Sequence, residues 1–191
     1  MNNPDYSIEI EKAFKVINEG GIILYPTDTV WGIGCDATKP EAVKKVYELK
    51  QRADNKALIC LVADVRMLER FVYEVPDAAY DIIEVTDKPT TIIYDQPLNV
   101  AKNLIAEDNT LAIRITSDEF CQKLLRKLKR PLVSTSANIS GSITPKSFSE
   151  ISDEILKGVD YIVNLHHDKI SNTPSTIIKL SNSGVVKIIR K

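Results

Sequence analysis

The stretch PLVSTSANISG (131–141) passes from a short apolar run to a run of hydroxyl and amide side chains that ends at Gly141. The apolar run predicts a strand, and the polar run predicts a turn at its end. Two interpretations of the polar run stay open at this point. Ser, Thr and Asn commonly cap helices and shape loops by satisfying backbone groups. The same side chains can also bind a phosphate or a carboxylate at the end of a strand.

Outward from this stretch, helical and extended patterns alternate along the chain. Helices are predicted over 6–18, from Pro40 to Lys50, over 64–73 and 77–85, after Ser117 as the capping residue, and near 147–157. Strands are predicted at 22–25, 57–62, 90–94, 111–115, 131–134, 161–165, 175–180 and 185–190. The last two strands form a predicted hairpin around 182–184, so the sheet should be mixed. No Pro/Gly/Ser-rich linker divides the chain, and we expect one α/β domain over residues 1–191.

The composition is typical of a globular protein, with 43% hydrophobic and 27% charged residues among 191. The formal net charge of -1 argues against a strongly basic, nonspecific nucleic-acid binder, although a local basic groove stays compatible with it. No apolar run has the length that crosses a bilayer, and the polar N-terminus is unlike a secretory signal. Cys35, Cys60 and Cys121 are widely separated and odd in number, so neither a disulfide framework nor a metal site is predicted. We expect a cytoplasmic protein.

The sequence lacks the common catalytic motifs. It contains neither the phosphate-binding G-x-x-x-x-G-K-[ST] nor the hydrolase G-x-S-x-G, and its only histidines are the adjacent pair His166 and His167. The sequence is therefore not that of a P-loop nucleotidase, and it argues against a Ser-His-acid hydrolase. Any catalysis should depend on positioning and charge neutralisation, as in phosphoryl and nucleotidyl transfer.

Several cations follow or interrupt the predicted elements. Lys50, Arg52 and Lys56 lie at the end of a helix and in the next loop, where they either balance the helix dipole or bind phosphates. Arg114 alternates with Ile113 and Ile115 and so faces the opposite side of its strand. It either points into a cleft beside an anionic partner or is exposed to solvent on an edge strand.

The ordered set PTDTVWGIG (26–34), KQR (50–52) with Lys56, LAIR (111–114), STSANISG (134–141) and PSTI (174–177) closely resembles the YrdC-like family of threonylcarbamoyl-adenylate synthases. The resemblance spans about residue 8 to residue 190. It implies a twisted mixed α/β sheet with flanking helices around a positively charged concave groove, the YrdC/RibB-like fold. It also implies that L-threonine, bicarbonate and ATP give threonylcarbamoyl-AMP and pyrophosphate, which serve the t6A modification of tRNA position 37.

By the same resemblance, each residue that matches a family motif has an expected role. Lys50 and Arg52 would be catalytic. The ATP-binding set would be Arg52, Lys56, Thr110, Asn138, Lys146 and Arg190. The threonine-binding set would be Thr29, Arg114, Ser136 and Ser175. Mg²⁺ would accompany ATP, held largely by phosphates and water rather than by a metal site of the protein.

The sequence departs from the family pattern at several positions. Ala53 and Ala57 stand where relatives have the prolines of K-x-R-P-x-x-K-P-L, and DKPTT (87–91) lacks the glycine of P-G-P-x-T. Leu61 stands near the position of a histidine found in some members. Because the chain ends at Lys191, we also expect it to lack the extra C-terminal domain of longer relatives.

Two other functions stay open. One is a non-catalytic protein that binds double-stranded RNA or tRNA through the same groove, and the other is a paralogue with a different nucleotide-dependent reaction. For the synthase, the expected partners are its small-molecule substrates, tRNA or double-stranded RNA, and downstream proteins that transfer threonylcarbamoyl to tRNA. No membrane is expected.

Overall fold

The strands join edge to edge in one sheet. The computed structural model describes residues 6–52, 58–170 and 174–190. Within these residues the strands are β1 (Ile23–Tyr25), β2 (Gly32–Gly34), β3 (Ile59–Val62), β4 (Thr90–Asp95), β5 (Thr110–Ile115), β6 (Leu132–Ser136), β7 (Tyr161–Ile162), β8 (Thr176–Leu180) and β9 (Val186–Arg190). Their order across the sheet is β7-β1-β2-β6-β3-β5-β4-β8-β9.

The sheet contains both kinds of strand pairing. The pairs β1/β7, β3/β5 and β4/β8 are parallel, and the remaining neighbours are antiparallel. β8 and β9 form the hairpin predicted around 182–184, where Gly184 has a φ of +82° that suits a residue without a side chain. The predicted mixed sheet is therefore confirmed.

Helices flank this sheet. They are α1 (Ser7–Asn18), α2 (Pro40–Leu49), α3 (Val65–Leu68), α4 (Asp77–Val85), α5 (Glu119–Leu128) and α6 (Asp153–Gly158), with single 3-10 turns at Lys102–Leu104 and Phe148–Glu150. In the three ranges that the structure describes, no helix has both the length and the apolar composition needed to span a bilayer.

Helix α1 illustrates how the sequence sets a buried face. It buries Ile10, Ala13 and Ile17, which lie three and four residues apart and so share one side of the helix. The helix stops before Gly20, whose φ of +82° is a common way to end a helix. α1 packs against α5, and both contribute to the same hydrophobic core as the central strands.

Strand pairing determines which residues of the central strands share a face of the sheet. Paired residues point to the same side of a sheet, and the side alternates along each strand. Cys60 on β3 pairs with Ile113 on β5, and Ile113 pairs with Ile92 on β4. These three core residues therefore lie on one face. Arg114 and the residues that share its side therefore lie on the opposite face, which carries the site described below.

Three predicted elements differ from the observed ones. The predicted helix 64–73 is only α3, because the chain turns after Leu68 and residues 71–73 bond the backbone of 96–98 instead. The predicted helix near 147–157 is broken by extended backbone at Ile151 and Ser152. The predicted strand 161–165 pairs with β1 only at 161–162.

Two local predictions around the polar motifs were also wrong. Ser117 does not cap α5; the neighbouring Asp118 does, since its carboxylate accepts the N–H of Cys121 at 2.9 Å. The polar run of PLVSTSANISG is not wholly a turn, because Ser134, Thr135 and Ser136 continue β6 and pair with β3 and β2. The strand β2 was not predicted at all.

Candidate active site

One face of the sheet, from β2 to β9, bounds a cavity of about 250 Å³. Its walls come from elements that are distant in sequence but adjacent in the strand order. Gly32 on β2 pairs with Ser136, and a Cβ at Gly32 would lie 3.3 Å from the side chains of Ser134 and Thr27, so glycine allows these groups to approach closely. The lining residues are Thr29, Val30, Gly32, Arg52, Leu58, Ile59, Arg114, Ser134, Thr135, Ser136, Thr144, Pro174, Ser175, Ile177 and Arg190.

Arg114 is a buried cation in the wall of this cavity. β5 lies between β3 and β4, so the edge-strand interpretation is wrong. The Arg114 side chain is 2% exposed, and its NH2 group donates to Asp28 Oδ1 at 2.9 Å and to Thr29 Oγ1 at 3.3 Å. Its Nε is buried and bonds no atom among the described residues. A buried guanidinium with a free N–H is suited to accept an anionic ligand.

The PTDT turn presents Thr29 to Arg114. Pro26 ends β1, and the Thr27 hydroxyl then donates to the carbonyl of Val30 at 2.7 Å. The N–H of Thr29 donates to the Thr27 hydroxyl at 3.0 Å, which closes a tight turn. This turn directs both the Thr29 hydroxyl and the Asp28 carboxylate towards β5.

Ser175 and Arg190 are held together at the other side of the cavity. Arg190 donates from Nε and NH2 to the carbonyl of Ser175, at 3.0 and 2.8 Å. The Ser175 hydroxyl lies 2.8 Å from the Thr91 hydroxyl, and both side chains are buried. Burial, and then the like charge of Arg114, lower the pKa of Arg190. The positive charge of Arg114 therefore acts on Arg190.

Lys50 fixes the turn that follows β6. Its ammonium group is buried and donates to the carbonyls of Ser136 and Asn138, both at 2.6 Å, while its own carbonyl accepts the N–H of Ser140 at 2.8 Å. The Asn138 amide donates to the carbonyls of Ile139 and Ser142, each at 2.9 Å. Asn138 Oδ1 has no hydrogen-bond partner in the described part of the chain.

The remaining predicted site residues lie at different distances from the cavity. Arg52 lines it, directly after Lys50 and Gln51. Thr110 lies at the far end of β5 from Arg114, where its hydroxyl donates to Asp108, and Lys146 is exposed outside the cavity walls. Lys56 lies outside the described residues. The structure thus brings together Thr29, Arg52, Arg114, Ser136, Ser175 and Arg190 around one cavity.

Two polar residues at the site were not assigned from the sequence. Asp28 is the acid between the two threonines of PTDT, and Thr91 is the last residue of DKPTT. Only their contacts with Arg114 and Ser175 reveal them, across 86 and 84 residues of sequence. In the described residues no group of three or more His, Cys, Asp or Glu is arranged to hold a metal ion.

A second cavity of about 240 Å³ lies behind β5. Its floor is apolar and includes Ile92, Ile113 and Ile115, whereas Asp28 and Ser117 belong to its polar rim. The Asp28 carboxylate therefore lies between the two cavities, bonded to Arg114 through Oδ1 and to Ser117 through Oδ2.

Comparisons with known proteins give a consistent result. The sequence profile of the Sua5/YciO/YrdC family, whose description is telomere recombination, matches residues 15–191. A protein of Methanocaldococcus jannaschii is 36% identical over 189 residues, which are 98% of this chain and 88% of that protein. The threonylcarbamoyl-AMP synthase of Idiomarina loihiensis is 34% identical over 180 residues, which are 93% of this chain and 96% of that enzyme.

Solved structures show the same fold. Escherichia coli YciO superposes with a TM-score of 0.85 at 26% identity. The superposition covers 99% of this chain and 91% of the YciO chain. Pyrococcus abyssi Sua5 in complex with L-threonine superposes with a TM-score of 0.79 at 28% identity over 90% of this chain. This chain spans about half the length of that Sua5 chain, 50%. The twisted mixed sheet with flanking helices is thus common to all three proteins.

Proposed function

The chain belongs to the Sua5/YciO/YrdC family, and on that premise we propose that it is an L-threonylcarbamoyladenylate synthase. It would form threonylcarbamoyl-AMP and pyrophosphate from L-threonine, bicarbonate and ATP. A relative with this activity in its name is 34% identical over 93% of the chain. The observation that carries the proposal is the single cavity in which Thr29, Ser136 and three arginines meet.

We assign the threonine subsite to the Arg114 side of the cavity. The buried Nε of Arg114 has no partner among the described residues, and a carboxylate oxygen is the natural acceptor for it. Thr29 and Ser136 supply hydroxyl groups within the same walls. These groups would bind the polar atoms of the amino acid on either side of its carboxylate. Ser175 would close this subsite beside Arg190.

The triphosphate would occupy the side of Arg52 and Arg190. Both arginines line the cavity, and fork-shaped guanidinium groups bind phosphate oxygens in pairs. Lys50 would act indirectly, because its ammonium group holds the turn that carries Ser136 and Asn138. The role in nucleotide binding stays a prediction for Lys56, Thr110, Asn138 and Lys146.

The chemistry needs no nucleophile from the protein. The threonine nitrogen bonds the carbon of bicarbonate with loss of water and gives a carbamate. A carbamate oxygen then attacks the α-phosphorus of ATP, and the bond to pyrophosphate breaks. The protein would contribute by holding two anions close together and by neutralising charge as it develops. Because no carboxylate cluster adjoins the cavity among the described residues, Mg²⁺ would arrive with ATP, held by phosphates and water.

Further proposals follow from the same assignment. The product would serve t6A modification of tRNA, with downstream transfer proteins as partners, in the cytoplasm. Residues 1–191 would form a single YrdC-like domain, and the three arginines would make its concave groove positively charged. The second candidate function is a paralogue of the same fold with another nucleotide-dependent reaction, because one fold can support different reactions.

One reaction mixture separates these functions. The purified protein is incubated with ATP, Mg²⁺, L-threonine and bicarbonate, and we expect threonine-dependent pyrophosphate release together with threonylcarbamoyl-AMP. Omission of threonine is the control. Release of pyrophosphate without threonine would support the paralogue, and absence of any product would overturn the synthase.

Two variants test the division of the cavity. Arg52→Ala should raise the KM for ATP by about 10-fold to 100-fold, since a hydrogen bond to a charged group contributes about 1.5–3 kcal/mol. Ser136→Ala should raise the KM for threonine by about fivefold, as for one neutral hydrogen bond. Arg66→Ala, on the exposed side of α3, is the matched control and should change neither value. If both site variants keep wild-type constants, the site is misplaced.

A further inference from the structure

The second cavity lies on the opposite side of β5 from the candidate active site. Ile113 and Ile115 line it, whereas Arg114, which stands between them on the strand, lines the other cavity. Its walls come from α3, α4, β4, β5 and the start of α5. Its aliphatic lining residues are Leu68, Ile82, Ile83, Ile92, Ile113 and Ile115. The proposed reaction does not use this space, so it is available to a different ligand.

The position of α4 creates the second cavity. Ala79 is the one residue of this helix that is fully buried. Ile82 and Ile83 are partly buried and line the cavity without filling it. The loop after α4 is fixed by its own side chains, since the hydroxyls of Thr86 and Thr90 lie 3.0 Å apart. The fold therefore holds a space between this helix and the sheet.

The lining indicates the chemical class of a ligand. Ile92 and Ile113 on the floor are each 2% exposed and apolar. Apolar cavities of about 150 Å³ bind benzene, so about 240 Å³ is enough for a compound with two fused rings. A charged group on this floor would lose its hydration without compensation. Hydrogen-bonding groups are confined to the rim, which consists of Asp28, Thr86, Asp87, Lys88, Thr90, Thr116, Ser117 and Gln122.

Ser117 connects the rim of the second cavity to the candidate active site. It is exposed, and its N–H and hydroxyl donate to Asp28 Oδ2 at 3.1 and 3.3 Å. The other oxygen of this carboxylate accepts from Arg114 NH2 at 2.9 Å. A ligand that covers Ser117 would exclude water from its bonds to Asp28 and so strengthen them. Arg114 would then be held more firmly in the orientation that receives a carboxylate.

We propose that the second cavity is a regulatory binding site for an uncharged, mainly apolar ring compound, and that its occupancy tightens threonine binding through Ser117 and Asp28. The regulatory part rests on the proposed function, because that function assigns threonine to Arg114. The binding part is independent of it. Coupling between two sites is reciprocal, so threonine must tighten binding of the ring compound by the same factor, which we expect to be about fivefold.

Indole is a suitable probe because it has two fused rings, no charge and one N–H donor. Its binding to the wild-type protein is followed by NMR of the isoleucine δ1-methyl groups. The methyl groups of Ile83, Ile92 and Ile113 should shift, whereas those of Ile59 and Ile177 line the other cavity and should not. Saturating threonine should lower the Kd for indole about fivefold. Indole-3-carboxylate, the charged analogue, should bind at least about tenfold more weakly than indole.

Two tryptophan variants of α4 form a matched pair. Ile83→Trp puts a ring into the second cavity and should weaken indole binding at least about tenfold, because the space is already filled. Val85→Trp adds the same ring at a position that is 81% exposed, and it should leave the Kd for indole unchanged. Ser117→Ala removes the hydroxyl bond to Asp28 and should reduce the effect of threonine on indole.

The outcomes separate the two parts of the proposal. Methyl shifts confined to Ile59 and Ile177, or no shifts at all, overturn the binding site in the wild-type protein without any variant. Equal affinity of indole for the wild type and for folded Ile83→Trp also overturns it. An indole affinity that saturating threonine leaves unchanged overturns the regulation. A wild-type protein that does not bind threonine overturns the proposed function and the regulation with it, while the indole titration still decides whether the second cavity is a binding site.

Discussion

Lys50 is a buried ammonium group in a turn of the candidate site. Burial, and then the charge of Arg52, lower the pKa of Lys50 to about 8. The two carbonyl acceptors at 2.6 Å act in the opposite direction, since they stabilise the charged form. The proton of Lys50 is therefore lost within a pH range in which the protein can be assayed.

We expect kcat/KM for ATP to fall as the pH rises through about 8, because the neutral amine no longer supports the turn or attracts phosphate. Lys50→Met, which has no ionisable group there, should have a lower kcat/KM at neutral pH and show no such fall.

The effect of Lys50 on stability has the opposite sign. The unfolded chain keeps this proton up to pH 10.5 and the folded chain only to about 8, so stability from this group rises between those values. Equal wild-type and Lys50→Met pH profiles would contradict the assignment.

Arg114 shows what could be learned about single side chains from sequence. Alternation with Ile113 and Ile115 predicts that it faces away from the core, and the family motif singles it out. The identity of its partner could not be predicted, because Asp28 reaches it across 86 residues through the fold. The same holds for Thr91 and Ser175. Motifs identify residue types at a site, whereas the pairings among them depend on strand order.

Helix α1 is attached to the end strand of the sheet through one buried acid. Glu9 Oε2 accepts from the hydroxyl of Tyr161 at 2.6 Å and from the N–H of Asn164 at 2.7 Å. Burial opposes ionisation of Glu9, but these bonds and the one from Lys12 outweigh it and lower its pKa. The stability that Glu9 contributes is thus present above the ordinary carboxyl pKa and lost as the pH falls through its lowered value.

Glu9→Ala should lower the free energy of unfolding by about 2–4 kcal/mol, since it removes two hydrogen bonds to a charged acceptor and leaves the N–H of Asn164 unpaired. Glu9→Gln keeps an acceptor and should lose about 1 kcal/mol. Glu11→Ala on the same helix removes an exposed pair with Lys127 and should cost under about 0.5 kcal/mol. Urea unfolding measures all three variants, and similar losses for Glu9→Ala and Glu11→Ala would disprove the attachment.

The elements that sequence predicted are those with long apolar patterns. β5 and α5 are examples, because alternation or helical spacing persists over six to ten residues. β2 was missed because Gly32-Ile33-Gly34 has one apolar side chain and two glycines, which usually mark turns. It is a strand because β1 and β6 bond both of its edges. Such tertiary pairing leaves no local signal.

The whole sheet depends on the position of β6. It pairs with β2 on one side and with β3 on the other, and so joins β7-β1-β2 to β3-β5-β4-β8-β9. The candidate site extends across this junction, with Thr29 and Gly32 on one side and Arg114 and Arg190 on the other. Any change that separates β2 from β6 should therefore affect stability and threonine binding together.

Gly34→Ala should separate β2 from β6 by adding one methyl group. A Cβ at Gly34 would lie 2.4 Å from the carbonyl oxygen of Val133 on β6 and 2.7 Å from the Tyr25 ring, and the backbone atom cannot move without opening the β2–β6 pairing. We expect a loss of about 2–3 kcal/mol in unfolding free energy and a weaker affinity for threonine.

Gly32→Ala is the matched control: its Cβ would lie 3.3 Å from the Ser134 and Thr27 side chains, which can adjust. It should cost under about 1 kcal/mol while narrowing the cavity, so threonine affinity falls with little change in stability. If Gly34→Ala weakened neither, the junction at β6 would not hold the two halves of the site in register.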